Sequence, residues 1–378
     1  MRKRLLVNLL ALVLLAVAGP LAAGTREFIA LPEVFPPLSP NGHYALVQLL
    51  LNRAGGRSDG RKYFVATVDL RSGGIAGRQL GDWGHPKGWA DHSDYVIWGE
   101  DHRTECLNVP GLSVRWAVPW SSEWVVWLPG SEGVVLVRLR EPIHPNYPRW
   151  PWDIIQVKMN GVSRVILHNC SWEPLRGVRY QGGDAMICQS REKDGQLAVI
   201  SLAGRVLLRF GPSVPRDVKV AYADLARVAW SRDEGAMDAS ACRISLAHAE
   251  QGEWRSVGVP IHTSPYDADF TVRVLDAGAG NLWLYRCSAR WPKYYQAWTL
   301  TWDGHLRELH PPAGGFGLCL MALLPDRRHL FVDHIDENVH PPGSFLLING
   351  DNGRIERRYP FRVPPDWLKS LPAPGGAR

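Results

Sequence analysis

Sulfur, charge and helical patterning are all scarce in this chain. Only six cysteines and five methionines occur in 378 residues, and charged residues make up 21%, below the usual ~25%. No C-x-x-C pair or Cys/His spacing suits zinc. The H-E-x-x-H helix, the P-loop and the EF-hand loop are missing. So is the G-x-S-x-G elbow: Pro129-Gly130-Ser131-Glu132-Gly133 lacks its first glycine and reads as a hairpin. Long amphipathic helical patterns are absent, which excludes a coiled coil. Beyond residues 1–23, no basic run exceeds Arg327-Arg328 or Arg357-Arg358, so nucleic acid is not an expected partner.

What is present points to strands. Apolar residues reach 46%, with 37 Gly, 29 Pro and 17 Trp. That supplies a large core and many turns, and excludes a disordered chain.

The N-terminus has its own pattern. Arg2, Lys3 and Arg4 precede an apolar run, Leu5 to Ala18, broken only by Asn8; Gly19-Pro20 and the small Ala22-Ala23 follow. This order predicts a secretory signal peptide over 1–23, cut after Ala23, with Ala18 the second choice. The competing reading is a retained membrane anchor. Cleavage removes three positive charges and no negative one, halving the net +6. The expected destination is export, periplasmic or secreted, without stable membrane insertion after cleavage.

Two series of turns run through the rest. Gly73, Gly111, Gly161, Gly204, Gly252, Gly304 and Gly353 each sit between two strand-like runs, recurring every ~40–50 residues. Asn160-Gly161, Asp303-Gly304 and Asn352-Gly353 have the residues that hairpin turns favour. A second series alternates with the first: Asn41-Gly42, Asp91 to Asp94, Pro129 to Gly133, Gln181 to Asp184, Asp224, Asp276 to Gly280, and Pro325 to Arg328. Two hairpin turns per repeat mean four strands per repeat. Seven such repeats predict an all-β propeller of four-stranded blades, with six or eight blades as the neighbouring counts because the fifth repeat is weak. The expected organisation is signal peptide 1–23, one propeller 24–362, and a loose Pro/Gly-rich tail 363–378. Phe28 to Leu31 is expected to add a strand to the last blade and close the ring.

Leu38-Ser39-Pro40-Asn41-Gly42-His43-Tyr44-Ala45-Leu46-Val47 resembles the S-P-D-G repeat of TolB-type propellers, also found in prolyl-oligopeptidase-type propeller domains. Leu324-Pro325-Asp326-Arg327-Arg328-His329-Leu330-Phe331 is a second, poorer copy. The resemblance implies a β-propeller in an exported setting. It carries no catalytic residues, because the catalytic serine of those peptidases lies outside the propeller.

The loops between second and third strands share one face and hold the unusual residues. Tyr147, Arg149, Trp150 and Trp152 in the third repeat, and Arg290, Trp291, Lys293, Tyr294 and Tyr295 in the sixth, combine aromatics with basic groups. Such surfaces suit binding. The first expectation is therefore a non-enzymatic binding or scaffold protein, a monomer that takes a protein, peptide or glycan of the cell envelope. Glu100, Asp101, Asp333, Asp336 and Glu337 on the same face suggest an alternative, a metal-dependent propeller enzyme with an acidic site at the channel mouth. A third reading is a structural component of an envelope complex. No cofactor is expected, a divalent cation being the exception. The disulfide candidates are Cys170 with Cys188 and Cys287 with Cys319; Cys106 and Cys242 fall in distant blades.

Overall fold

The computed structural model describes residues 26–29, 38–51, 62–80, 84–100, 102–129, 133–139, 152–192, 195–212, 214–215, 218–233, 241–250, 253–262, 273–276, 281–287, 295–310, 317–324, 329–335, 344–360 and 364–370. They form seven four-stranded antiparallel sheets, each made of four strands consecutive in sequence.

Blade 1 holds β1 to β4 (Arg26–Ile29, Tyr44–Leu51, Lys62–Asp69, Ile75–Gln79). Blade 2 holds β5 to β8 (Gly84–Trp89, Tyr95–Glu100, Arg103–Asn108, Val114–Val118). Blade 3 holds β9 to β12 (Val125–Trp127, Gly133–Leu139, Trp152–Lys158, Ser163–Cys170). Blade 4 holds β13 to β16 (Trp172–Tyr180, Gly183–Ser190, Leu197–Ser201, Val206–Phe210). Blade 5 holds β17 to β20 (Lys219–Ala223, Arg227–Asp233, Ala241–Glu250, Glu253–His262). Blade 6 holds β21 to β24 (Arg273–Asp276, Asn281–Cys287, Tyr295–Thr301, Leu306–Leu309). Blade 7 holds β25 to β28 (Gly317–Leu323, His329–Ile335, Ser344–Asn349, Ile355–Pro360). The sequence expectation of a seven-bladed β-propeller matches this architecture, the weak fifth repeat included.

A sheet buried on both faces needs partners on both. Each blade finds them in its neighbours. Ile97 and Cys106 of blade 2 share a core with Val134, Leu136 and Ile155 of blade 3. Val135 and Ile154 of blade 3 share another with Met186, Cys188 and Ala198 of blade 4. Ile187 and Val199 pack with Val220 and Val228 of blade 5, and Ile244 and Leu246 with Leu282 and Leu300 of blade 6. In blades 2 to 4 the second and third strands, in the middle of the sheet, are the most deeply buried, and runs such as Val134–Val137 are fully enclosed. The first strands are innermost: β5 touches β9, β9 touches β13, β13 touches β17 and β17 touches β21 around the axis.

Ring closure differs from the sequence expectation. β1 pairs with β2, Ile29 opposite Gln48, so it completes blade 1 and adds nothing to blade 7. Packing closes the ring instead. Leu346, Ile348 and Tyr359 of blade 7 join Leu46, Phe64 and Val65 of blade 1 in one core. Arg357 Nη2 donates to the Arg71 carbonyl at 3.2 Å. The C-terminal segment carries a short helix, α1 (Pro365–Ser370), and Trp367 on it stacks against Phe64. That part of the chain is docked on blade 1, not loose, because an indole on an apolar sheet face leaves water.

Candidate functional site

Strands alternate in direction, so the turns after first strands and after third strands lie on one face. The longer loops between second and third strands lie on the other. The two faces differ in what the structure places there.

On the long-loop face, Tyr147, Arg149, Trp150, Arg290, Trp291, Lys293 and Tyr294 lie outside the described residues, as do Asp101, Asp336 and Glu337. Tyr295 opens β23 opposite Cys287. Trp152 departs from the sequence expectation. It is 5% exposed, its indole N–H donates to the Trp172 carbonyl at 2.7 Å, and Trp124 meets it edge-on at 5.2 Å. Its aromatic bulk fills the seam between blades 3 and 4 and is unavailable to a partner. Glu100 ends β6 in blade 2 and Asp333 lies in β26 of blade 7, with blade 1 between them. Among the described residues, no group of three or more His, Cys, Asp or Glu side chains is placed to hold a metal ion. The carboxylates buried at this face are tied to arginines: Glu105 to Arg78 and Arg103, Asp153 to Arg138 with the His168 ring nearby, and Glu173 to Arg191. Cys170 and Cys188 share the core between blades 3 and 4 and stand there as thiols, so the expected bridge is not formed. Cys287 and Cys319 lie on β22 and β25, in strand positions whose side chains are outside the described residues.

The opposite face holds a cavity of about 910 Å³. Its wall comes from the C-terminal ends of four successive innermost strands and the turns after them: Gly88, Trp89 and Asp91; Val125 to Trp127 and Pro129; Leu175 to Arg179; Tyr222 and Asp224 to Arg227. This is the mouth of the central channel where first strands turn into second strands.

The polar groups of this mouth form one connected set. Arg176 Nη1 donates to the Tyr222 hydroxyl at 2.7 Å, and that hydroxyl donates to Asp224 Oδ2 at 2.8 Å. Arg227 approaches the same oxygen through Nε at 3.0 Å and Nη2 at 2.8 Å. The backbone N–H groups of Ala226 and Arg227 donate to Asp224 Oδ1. Burial pushes the Asp224 carboxyl up, but the hydrogen bonds from Ala226, Arg227 and Tyr222 outweigh it and hold it below its ordinary value. Arg176 and Arg227 also lie over the Tyr222 ring, at 5.2 and 5.7 Å. Arg227 sits 5.1 Å from the Trp302 ring of blade 6 as well. The arginines are thus positioned by a network spanning three blades.

Across the mouth, β13 and β9 approach closely. A Cβ on Gly177 would lie 2.1 Å from the Trp127 carbonyl oxygen, so this contact needs glycine. Trp127 is 9% exposed, and its buried indole N–H has no acceptor among the described residues. It lies beside Gly88, where an added Cβ would stand 3.6 Å from Nε1. A buried donor without an acceptor costs about 1–3 kcal/mol.

Comparison with known proteins follows this geometry only as far as the scaffold. No protein-family model matches the chain, and no curated protein matches it. Its structure is similar to that of an oligogalacturonate lyase from Vibrio parahaemolyticus, with TM-score 0.53 and 11% identity over 86% of this chain and 96% of that one. It is similar to an acylaminoacyl peptidase from Pyrococcus horikoshii, with TM-score 0.52 and 12% identity over 85% of this chain and 51% of that one. A prolyl endopeptidase gives TM-score 0.50 and 13% identity over 89% of this chain and 49% of that one. The likeness is one of fold. The chain spans about half the length of the two peptidases.

The sequence reading missed this mouth. Its one legible signal is glycine inside a first strand, Gly88 in β5 and Gly177 in β13, which marks close approach by another chain segment or a ligand.

Proposed function

We propose that this chain is an exported, non-enzymatic binding propeller of TolB-type kinship, and that it holds its ligand at the channel mouth formed by β5, β9, β13 and β17. The observation that carries the reading is the cavity itself, walled by the ends of four blades and furnished with arginines fixed by hydrogen bonds. Concave sites at the mouths of closed β-structures are where small ligands bind. Recognition suits these groups better than catalysis. Guanidinium groups neither accept nor release protons at working pH, and the oxygens of Asp224 are taken up by five donors. Export rests on the Arg2-Lys3-Arg4 and Leu5 to Ala18 pattern, and the TolB-type kinship on the Ser39-Pro40-Asn41-Gly42 turn.

The test is a thermal-unfolding comparison of the full chain and Gly88→Ala, with and without the small-molecule fraction of an envelope extract. A ligand of the native state raises the midpoint. The reading expects the fraction to protect the wild type and to lose that effect in Gly88→Ala, whose methyl group enters the wall. Equal protection of both proteins, or none of either, contradicts it.

A further inference from the structure

Blade 2 carries a lysine on its innermost strand, β5. Pro86 pairs with Trp98 and Gly88 with Ile97, which leaves Lys87 between them as a β-bulge without a partner across the ladder. A bulge re-aims a side chain. The row beside it is His85, Gly99 and Thr104, opposite one another on β5, β6 and β7. Opposite residues share a face of the sheet. Ile97, two residues before Gly99, packs on blade 3, so the row faces blade 3 as well. Thr104 meets the segment entering blade 3: its hydroxyl donates to the Trp120 carbonyl and accepts from the Ser122 N–H, both at 2.9 Å.

Gly99 leaves a gap in the middle of this row, and Lys87 fills it. A Cβ on Gly99 would lie 2.6 Å from Lys87 Cε, 3.3 Å from Cγ and 3.6 Å from Cδ. The stem thus lies along the sheet, and the amine, one bond past Cε, stays at the seam of blades 2 and 3. The residue is half-buried, where a lysine would ordinarily extend its ammonium into water. Lys62 reaches Gln79 and Lys369 reaches Asp366, but the Lys87 amine makes no hydrogen bond or ion pair among the described residues. An ammonium drawn out of water without an acceptor is unfavourable, whereas a neutral amine needs none. Burial pushes the Lys87 amine below its ordinary value, and the charge of Glu123, just before β9, opposes that. The other ionisable groups around the seam are His85 in the same row and Arg138, which lies over Trp120 and pairs with Asp153. Glu100 and Glu105 alternate to the blade 1 face, where Arg78 and Arg103 hold Glu105.

We propose that Lys87 is a nucleophilic amine that captures small aldehydes or ketones as a reversible imine at the seam of blades 2 and 3. The nitrogen lone pair attacks the carbonyl carbon, and the C–N bond forms as the C=O π pair moves to oxygen. The protons of the nitrogen pass to that oxygen, which leaves as water, so no oxidant or reductant is needed. Lysines whose ammonium is disfavoured by their surroundings are the ones that form Schiff bases. The half-buried position admits small carbonyl compounds rather than bulky ones. Lys87 does not line the channel-mouth cavity, so this capture is separate from the ligand assigned there.

Reductive trapping tests it. The full chain is treated with propanal and cyanoborohydride, which reduces an imine to a stable secondary amine, and propylation of each lysine is followed by peptide mass mapping. At neutral pH Lys87 should be modified at least about threefold faster than the exposed Lys158 and Lys369, and the preference should vanish in urea. A lysine with only a structural role gives the reverse order, because half-burial shields it. Gly99→Ala, whose methyl group displaces the stem, should bring Lys87 down to the rate of Lys158. Glu123 is exposed, so Glu123→Gln keeps the test open should Gly99→Ala not fold. It removes the opposing charge and should carry Lys87 modification to lower pH. A Lys87 rate no faster than those of the exposed lysines overturns the proposal. So does a rate that Gly99→Ala leaves unchanged in a folded chain, or a pH profile that Glu123→Gln does not move.

Discussion

Trp367 lies flat on Phe64, with ring centroids 4.8 Å apart and 19° between the planes. Phe64 belongs to the third strand of blade 1 and is 1% exposed. Trp367 belongs to α1, at the other end of the chain. The ring is therefore clasped by a side chain, where the sequence expectation was a shared strand. Trp367→Ala should lower stability by about 2 kcal/mol, below the ~3–5 kcal/mol of a fully buried aromatic because the indole is only half-buried. Urea unfolding measures this. A double-mutant cycle between Phe64→Leu and Trp367→Leu should show a coupling of about 1 kcal/mol; additive effects would mean that the stack does not clasp the ring.

Two glycines of the inner strands should respond to alanine to very different extents. At Gly177 the methyl would lie 2.1 Å from the Trp127 carbonyl, so blades 3 and 4 must part. A loss of about 3 kcal/mol is expected. At Gly88 the nearest atoms are 3.5 and 3.6 Å away, an ordinary contact, and the change should stay below about 1 kcal/mol. Denaturant midpoints of the two variants check this contrast.

Asp224 should contribute to acid sensitivity. Its carboxyl is held below its ordinary value in the folded chain, so its stabilising contribution is full above the unfolded value of ~3.9. That contribution is lost as pH falls through the lower folded value. Asp224→Asn should flatten the stability profile below about pH 4 while lowering stability at neutral pH. Chemical unfolding across pH 2–7 reads both. An unchanged acid limb would show that Asp224 is not bonded as described.

The thiols should be unreactive until the fold opens. Burial pushes the Cys106 thiol up to about 12, and the fully enclosed Cys188 is also raised, by burial and then by Cys170 and Glu173. The thiolate is the reactive form, so maleimide at pH 8 should leave both unlabelled in the native chain and label both in urea without reductant. Native labelling of Cys188, or failure to label it after unfolding, would contradict a buried thiol there.

The blades were legible in the sequence because tight turns need particular residues. Gly161 and Gly304 have φ of 83° and 91°, a region that side chains disfavour, so asparagine or aspartate followed by glycine marks the turn in the letters themselves. Seven copies then give the architecture. Ring closure was not legible, because Arg26–Ile29 has the same strand character whichever sheet it joins. Trp152 was misplaced for a related reason: a tryptophan beside a proline-rich loop looks the same whether it faces solvent or fills a seam. The channel mouth was hidden by distance. Arg176 and Tyr222, 46 residues apart, meet only because β13 and β17 are both innermost, and no local pattern records that.

Hydrogen–deuterium exchange with the small-molecule envelope fraction tests the central claim most directly, because it asks which face of the propeller the ligand protects. The account predicts protection confined to peptides covering 88–91, 125–129, 175–179 and 222–227, and its loss in Gly88→Ala. Protection of peptides covering 141–150 and 288–294, with the channel mouth unchanged, would contradict it and return the binding site to the long-loop face.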